Sequence, residues 1–157
     1  MLYAALKTLH LLAILLWVGG MAFTLFFLRP ALNTLGAPER VRLMHAVLGR
    51  FFKAVLAASL LTLGTGIWML GRVAKQTVQS VGSFQMPLSW TLMSVLGVLM
   101  VAIFMHIRFA LFKRLDRAVT ASDWAAGGAA LAQIRNWVAV NLALGVGVVV
   151  IALMRLG

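Results

Sequence analysis

Leu9-His10-Leu11-Leu12-Ala13-Ile14-Leu15-Leu16-Trp17-Val18-Gly19-Gly20-Met21-Ala22-Phe23-Thr24-Leu25-Phe26-Phe27-Leu28 is the stretch that decides the fold. It contains no acid, lysine or arginine, with Lys7 before it and Arg29 directly after. Its length of about 20 residues is what a helix needs to cross ~30 Å of hydrocarbon. No small-residue cleavage site precedes a polar mature region, so the run reads as a retained span rather than a removable leader.

The same pattern recurs three times. Apolar runs cover about 51–70, 88–112 and 137–154. The second ends at Gly71-Arg72, the third opens at Pro87 and closes at Lys113-Arg114, and the fourth lies between Arg135 and Arg155. Composition agrees: 63% of the chain is hydrophobic and 11% charged, against roughly 25% charged in soluble domains. The mean hydropathy of +1.02 rules out a soluble fold. With no repeat, low-complexity tract or linker, the 157 residues read as one transmembrane domain, an all-α four-helix bundle.

The net charge of +11 comes from 14 Lys and Arg against Glu39, Asp116 and Asp123. No nucleic-acid-binding motif accompanies it. The basic residues fall mostly between spans, so their expected partners are anionic lipid headgroups. Residues 29–53 carry Arg29, Arg40, Arg42, Arg50 and Lys53, and residues 108–135 carry Arg108, Lys113, Arg114, Arg117 and Arg135. The connection between spans two and three carries Arg72 and Lys75. The bias predicts cytoplasmic first and third connections, with both termini on the outer, periplasmic side. Pro38-Glu39 is expected to open an amphipathic extension of span two, and Ser122-Asp123 to cap the helix leading into span four.

Absences narrow the chemistry. Without cysteine there is no disulfide, thiolate metal site or c-type haem attachment. Three carboxylates in or beside connections leave no paired acid/base site in the membrane, and no nucleotide-binding or hydrolase motif occurs. Whether the chain is an enzyme stays open.

The chemistry-bearing residues are histidines and methionines. Ionisable groups inside spans are rare and usually functional, which singles out His10 and His106. His10, Trp17, Met21 and Thr24 share one helical stripe, where Gly19 and Gly20 remove bulk for a cofactor edge or a neighbouring helix. Close packing is the competing reading for the glycines, an interfacial position for His10, and a solvated headgroup position for His45. Thr24, Thr62, Thr65 and Asn141 are expected to hydrogen-bond between helices. With the orientation above, His10, Met69, Met86, Met93 and Met154 belong to the outer layer; imidazole with thioethers suits Cu(I). Met93 and Met100 share a stripe that leads inward, but His106 is rotated by roughly 120° from Met100. The same histidines fit haem b. An inner haem would use His106 with His45, its propionates meeting Arg40, Arg42, Arg50 or Arg108. An outer haem would use His10 with Met69 or Met93.

A series of short motifs, in order and at consistent spacing, resembles the copper-resistance D (CopD) family of bacterial inner-membrane proteins. It runs from Lys7-Thr8-Leu9-His10 and Leu16-Trp17-Val18-Gly19-Gly20-Met21 through Leu28-Arg29-Pro30, Arg50-Phe51-Phe52-Lys53 and Thr65-Gly66. It continues through Met93, Gly97, Met100 and Ile103-Phe104-Met105-His106 to Asp123-Trp124 and Asn141-Leu142-Ala143-Leu144-Gly145. The resemblance implies copper binding or transport across the inner membrane, with His10, Met93, Met100 and His106 as candidate ligands and a periplasmic copper-binding protein as partner. His45 falls outside the pattern. A more distant similarity to HemJ-type protoporphyrinogen oxidases implies b-type haem and electron transfer with a quinone or small molecule. The chain departs from those oxidases at Arg29-Pro30-Ala31, where they carry Arg-Leu-Phe-Val-Tyr-His. A homodimer would gather six histidines and make paired-histidine sites at its interface.

Overall fold

The computed structural model describes residues 1–154 and, among them, contains helices and no strand. Arg155, expected to close the fourth span, lies outside the described residues. Four helices are long and apolar enough to cross a membrane: α1 Leu2–Thr34, α2 Ala37–Val81, α3 Leu88–Thr120 and α4 Trp124–Met154. Each contains one of the apolar runs and continues beyond it, because the flanking residues keep a helical apolar stripe. Val41, Met44 and Leu48 are buried in α2 ahead of its apolar run. Leu115 and Ala118 do the same for α3 after its run, and Ala130, Leu131 and Ile134 for α4 before its run.

Short connections force antiparallel neighbours. The start of α1, the end of α4 and the 82–87 connection therefore lie at one end of the bundle, here the terminal end. The 35–36 and 121–123 connections lie at the other, the basic end. α1 packs mainly on α2, α3 mainly on α4, and α4 touches all three other helices. Leu11, Leu12, Leu15, Phe26, Phe27, Val95 and Val98 point outward. In water that surface would be untenable, but hydrocarbon is its natural solvent.

The helix ends are built as the sequence suggests. Pro38 stands in the first turn of α2, continuous with the rest of that helix, and Gly82 ends α2 in the left-handed region at φ 82°. α3 closes in a Schellman turn: Asp123 N donates to Ala118 O at 2.9 Å and Ser122 N to Val119 O at 3.1 Å. Ser122 takes the left-handed position, φ 54°. Asp123 Oδ1 then accepts from Ala126 N at 2.9 Å and caps α4, as expected.

Two π-helical turns interrupt α1 at Thr24–Leu28 and α3 at Ile107–Leu111. Their cause is visible in the spacing of buried residues. Ile103, Ile107, Leu111 and Leu115 are all buried at steps of four. In a straight α-helix each such step drifts by about 40°. A wider turn absorbs the drift and keeps the stripe on the core. The same device returns Leu32 to the face that buries Thr24.

Candidate functional site

The seam between α1 and α2 near the terminal end holds the first group. His10 Nδ1 lies 2.8 Å from Thr65 Oγ1. Thr65 Oγ1 also bonds to the Leu61 carbonyl. A hydroxyl has one proton, and donating it to Leu61 O leaves a lone pair toward the ring. With the hydroxyl proton so engaged, the contact matches an Nδ1–H tautomer of His10, which would leave the Nε2 lone pair available. Gly66 gives the ring room, since a Cβ there would stand 3.4 Å from His10 Cε1. Met69 follows Thr65 by one turn on the same face of α2 and is half-buried.

The centre of the bundle holds the second group. Trp17 and Met21 of α1, Phe52 of α2, Met100 and Phe104 of α3, and Asn141 of α4 are all buried. The ring edges of Trp17 and Phe52 meet Phe104 at 5.8 and 6.0 Å. Gly145, one turn beyond Asn141, makes space for Met100: a Cβ there would stand 3.1 Å from Met100 Cε and 2.9 Å from Val18 Cγ2. Met93, two turns before Met100, is half-buried. Trp17 lies seven residues from His10, or about 10 Å along the helix.

The basic end holds the third group. His45 Nε2 is 2.8 Å from Asp116 Oδ1, and its ring stacks on Phe112 at 5.2 Å. Arg29 reaches from α1 to the Leu131 carbonyl of α4 at 2.6 Å, and Arg42 lies 4.6 Å over the Trp124 ring. Arg108 sits within the second π turn over Phe109 and Phe112, its buried Nε without a partner. Asp116 and Asp123 are engaged here, and Glu39 stands in the first turn of α2. All three carboxylates therefore belong to this end, and none lies in the middle of the bundle.

The candidate residues are thus divided among separate places. His106 is exposed on the outer surface of the bundle, its ring edge-on to Trp137 at 5.3 Å, while Met100 faces the core. His10 and Met69 share one seam, Trp17 and Met100 the centre, and His45 and Arg108 the basic end. Among the described residues no three His, Asp or Glu side chains gather. Neither the central void nor an apolar groove between α1 and α2 is lined by a histidine, so these cavities lend haem no support.

The expected interhelical hydrogen bonds form only in part. Thr65 bonds across to His10, but Thr24 donates back to Gly20 O within α1. Thr62 Oγ1 and both polar atoms of Asn141 are buried without a partner. Asp116 as the partner of His45 was not foreseen; the two are 71 residues apart, and no local signal marks the pair.

An all-helical bundle with four apolar spans, soft donors within it and carboxylates confined to one end is a multi-pass membrane protein. The Copper resistance protein D (CopD) family matches residues 45–155, and the chain belongs to that family. The match ties the chain to copper resistance. It begins at His45, so α1 with His10, Trp17 and Met21 lies before it. No curated protein and no solved structure matches the chain, and no match bears on the resemblance to HemJ-type oxidases.

Proposed function

We propose that the protein binds Cu(I) and carries it across the bacterial inner membrane, with its termini on the periplasmic side. His10 and Met69 capture the ion at the terminal end, and Met93 and Met100 lead it inward. The observation that carries this reading is the 2.8 Å contact between His10 Nδ1 and Thr65 Oγ1, a hydroxyl that also bonds to the Leu61 carbonyl. A histidine that ligates metal commonly donates its other ring N–H to a hydrogen-bond acceptor, which orients the ring and raises its basicity. An Nδ1–H bond to Thr65 would do this and leave Nε2 as the ligand atom. A nearby thioether supplies the soft second donor that Cu(I) prefers.

The test is Cu(I) binding to the detergent-purified chain under reducing conditions. His10→Ala should lose bound copper, and adding His106→Ala should change nothing further, because His106 faces outward. Unaltered stoichiometry in His10→Ala would remove the mechanism. An ultraviolet–visible spectrum of the same sample discriminates the other chemistry. A Soret band with sharpened α/β bands on reduction would make the protein a b-type cytochrome.

A further inference from the structure

The apolar runs of α1 and α4 both stop at the basic end, and an arginine marks each stop. Arg29 directly follows the run that closes at Leu28, and Arg135 stands two residues before the run that opens at Trp137. Arg29 is half-buried and crosses the α1–α4 seam, donating from Nη2 to the Leu131 carbonyl at 2.6 Å. In an α-helix that carbonyl also receives the backbone N–H of the residue four further on, which is Arg135. The Arg29 guanidinium therefore lies over the turn of α4 that carries Arg135, close enough for the two like charges to repel.

The carboxylates that would offset this repulsion are engaged elsewhere. Asp116 meets His45, Asp123 caps α4, and Glu39 folds back toward Gly36 at the start of α2. Among the described residues no arginine is ion-paired with any of them. Each guanidinium carries five N–H donors. The Leu131 carbonyl takes one from Arg29, and Asn136 Oδ1, at 3.3 Å, takes the Nε–H of Arg135. The other donors have no protein partner among the described residues.

The surroundings specify what completes the pair. Two guanidiniums favour an oxyanion with several oxygens, and phosphate matches their forked donors. On the hydrocarbon side Phe27 and Trp137 stand exposed beside the arginines, and a tryptophan at a span end sits at headgroup level. A phosphate that carries acyl chains satisfies both the cations and the apolar surface next to them. A free phosphate would satisfy the cations alone.

We propose that Arg29 and Arg135 clamp the phosphate of one anionic phospholipid in the leaflet at the basic end, its acyl chains lying beside Phe27 and Trp137. The site is independent of the copper reading. It holds one lipid by geometry rather than gathering many by net charge.

The test titrates the delipidated, detergent-purified chain with phosphatidylglycerol and reads bound lipid by native mass spectrometry. The wild type should hold one phosphatidylglycerol more tightly than phosphatidylcholine, whose headgroup is neutral overall. Arg135→Gln alters an exposed side chain and leaves the core untouched. It should weaken that lipid by about 10-fold or more, the size of a lost charge-assisted hydrogen bond. Arg29→Gln should do the same. Arg117→Gln removes an equal charge from an exposed position on α3 at the same end and should leave binding unchanged. Equal losses in all three variants, or equal affinity for the two lipids, would overturn the clamp in favour of diffuse attraction. Inorganic phosphate in large excess should leave the lipid bound. Displacement of the lipid by phosphate, with phosphate binding itself abolished in Arg135→Gln, would reassign the site to a soluble anion and overturn the lipid.

Discussion

The bond between His10 and Thr65 makes the orientation of one imidazole depend on one hydroxyl. Thr65→Val keeps the shape of the side chain and removes the acceptor for Nδ1–H. Cu(I) affinity should fall by about 10- to 100-fold, the usual cost of losing a partner behind a metal ligand. Competition with a colorimetric Cu(I) chelator measures it, and affinity equal to wild type would show that Thr65 does not orient the ligand. Asn141 makes the opposite kind of prediction. Its two unpaired buried atoms burden the folded state, and Asn141→Leu should stabilise the protein by about 1–3 kcal/mol. Reversible denaturation in mixed micelles would register the gain.

The four apolar runs were plain in the sequence because a span must be long and unbroken. The full helices were less so. Their amphipathic extensions spread a few apolar residues among arginines, and only packing partners on other helices reveal which residues are inside. The π turns had a legible signal in Ile103, Ile107, Leu111 and Leu115, a spacing of four sustained too long for an α-helix. The junction of α3 and α4 was legible as a cap at Asp123, while the strained position at Ser122 was not. Left-handed backbone costs a residue with a Cβ ~1–2 kcal/mol relative to glycine. Ser122→Gly should therefore raise stability by about 1 kcal/mol, and Asp123→Ala should lower it by about 1 kcal/mol through loss of the cap. Thermal unfolding of the two variants should move in opposite directions. At the α1–α2 contact, a Cβ on Gly20 would clash with the edge of the Phe51 ring. Gly20→Leu should cost about 1–3 kcal/mol by overpacking, visible as a lowered unfolding midpoint.

At the scale of the molecule, charge and topology make one prediction together. The chain has no cysteine, so a single introduced thiol reports its own side of the membrane. Ser83→Cys, at the terminal end, should react with an impermeant maleimide in intact spheroplasts. Thr34→Cys, at the basic end, should react only after the membrane is opened. The reverse pattern would invert the direction of the proposed copper path. The candidate site was legible one residue at a time and not as an arrangement. Sequence singled out His10, Met100 and His106 as intramembrane side chains, yet their rotation about two helix axes decides whether they meet. His106 turns outward and Met100 inward, and Asn141, expected to pair with a neighbour, stands alone.

The basic-end extensions have a consequence of their own. α2 is 45 residues long, roughly 68 Å of helix at 1.5 Å per residue, more than twice the thickness of the hydrocarbon layer. Val41, Met44, Leu115 and Leu131 pack together there beneath an arginine-rich exterior, in the manner of a small water-soluble protein. One chain is therefore folded by two solvents. Its spans are held by close packing in lipid, while this stub is held by water's aversion to its leucines and methionines. Urea weakens the second force by solvating apolar groups and has little purchase on the first. A urea titration should melt the stub and detach His45 from Asp116 while the spans remain embedded, splitting the protein along the plane where its two solvents meet.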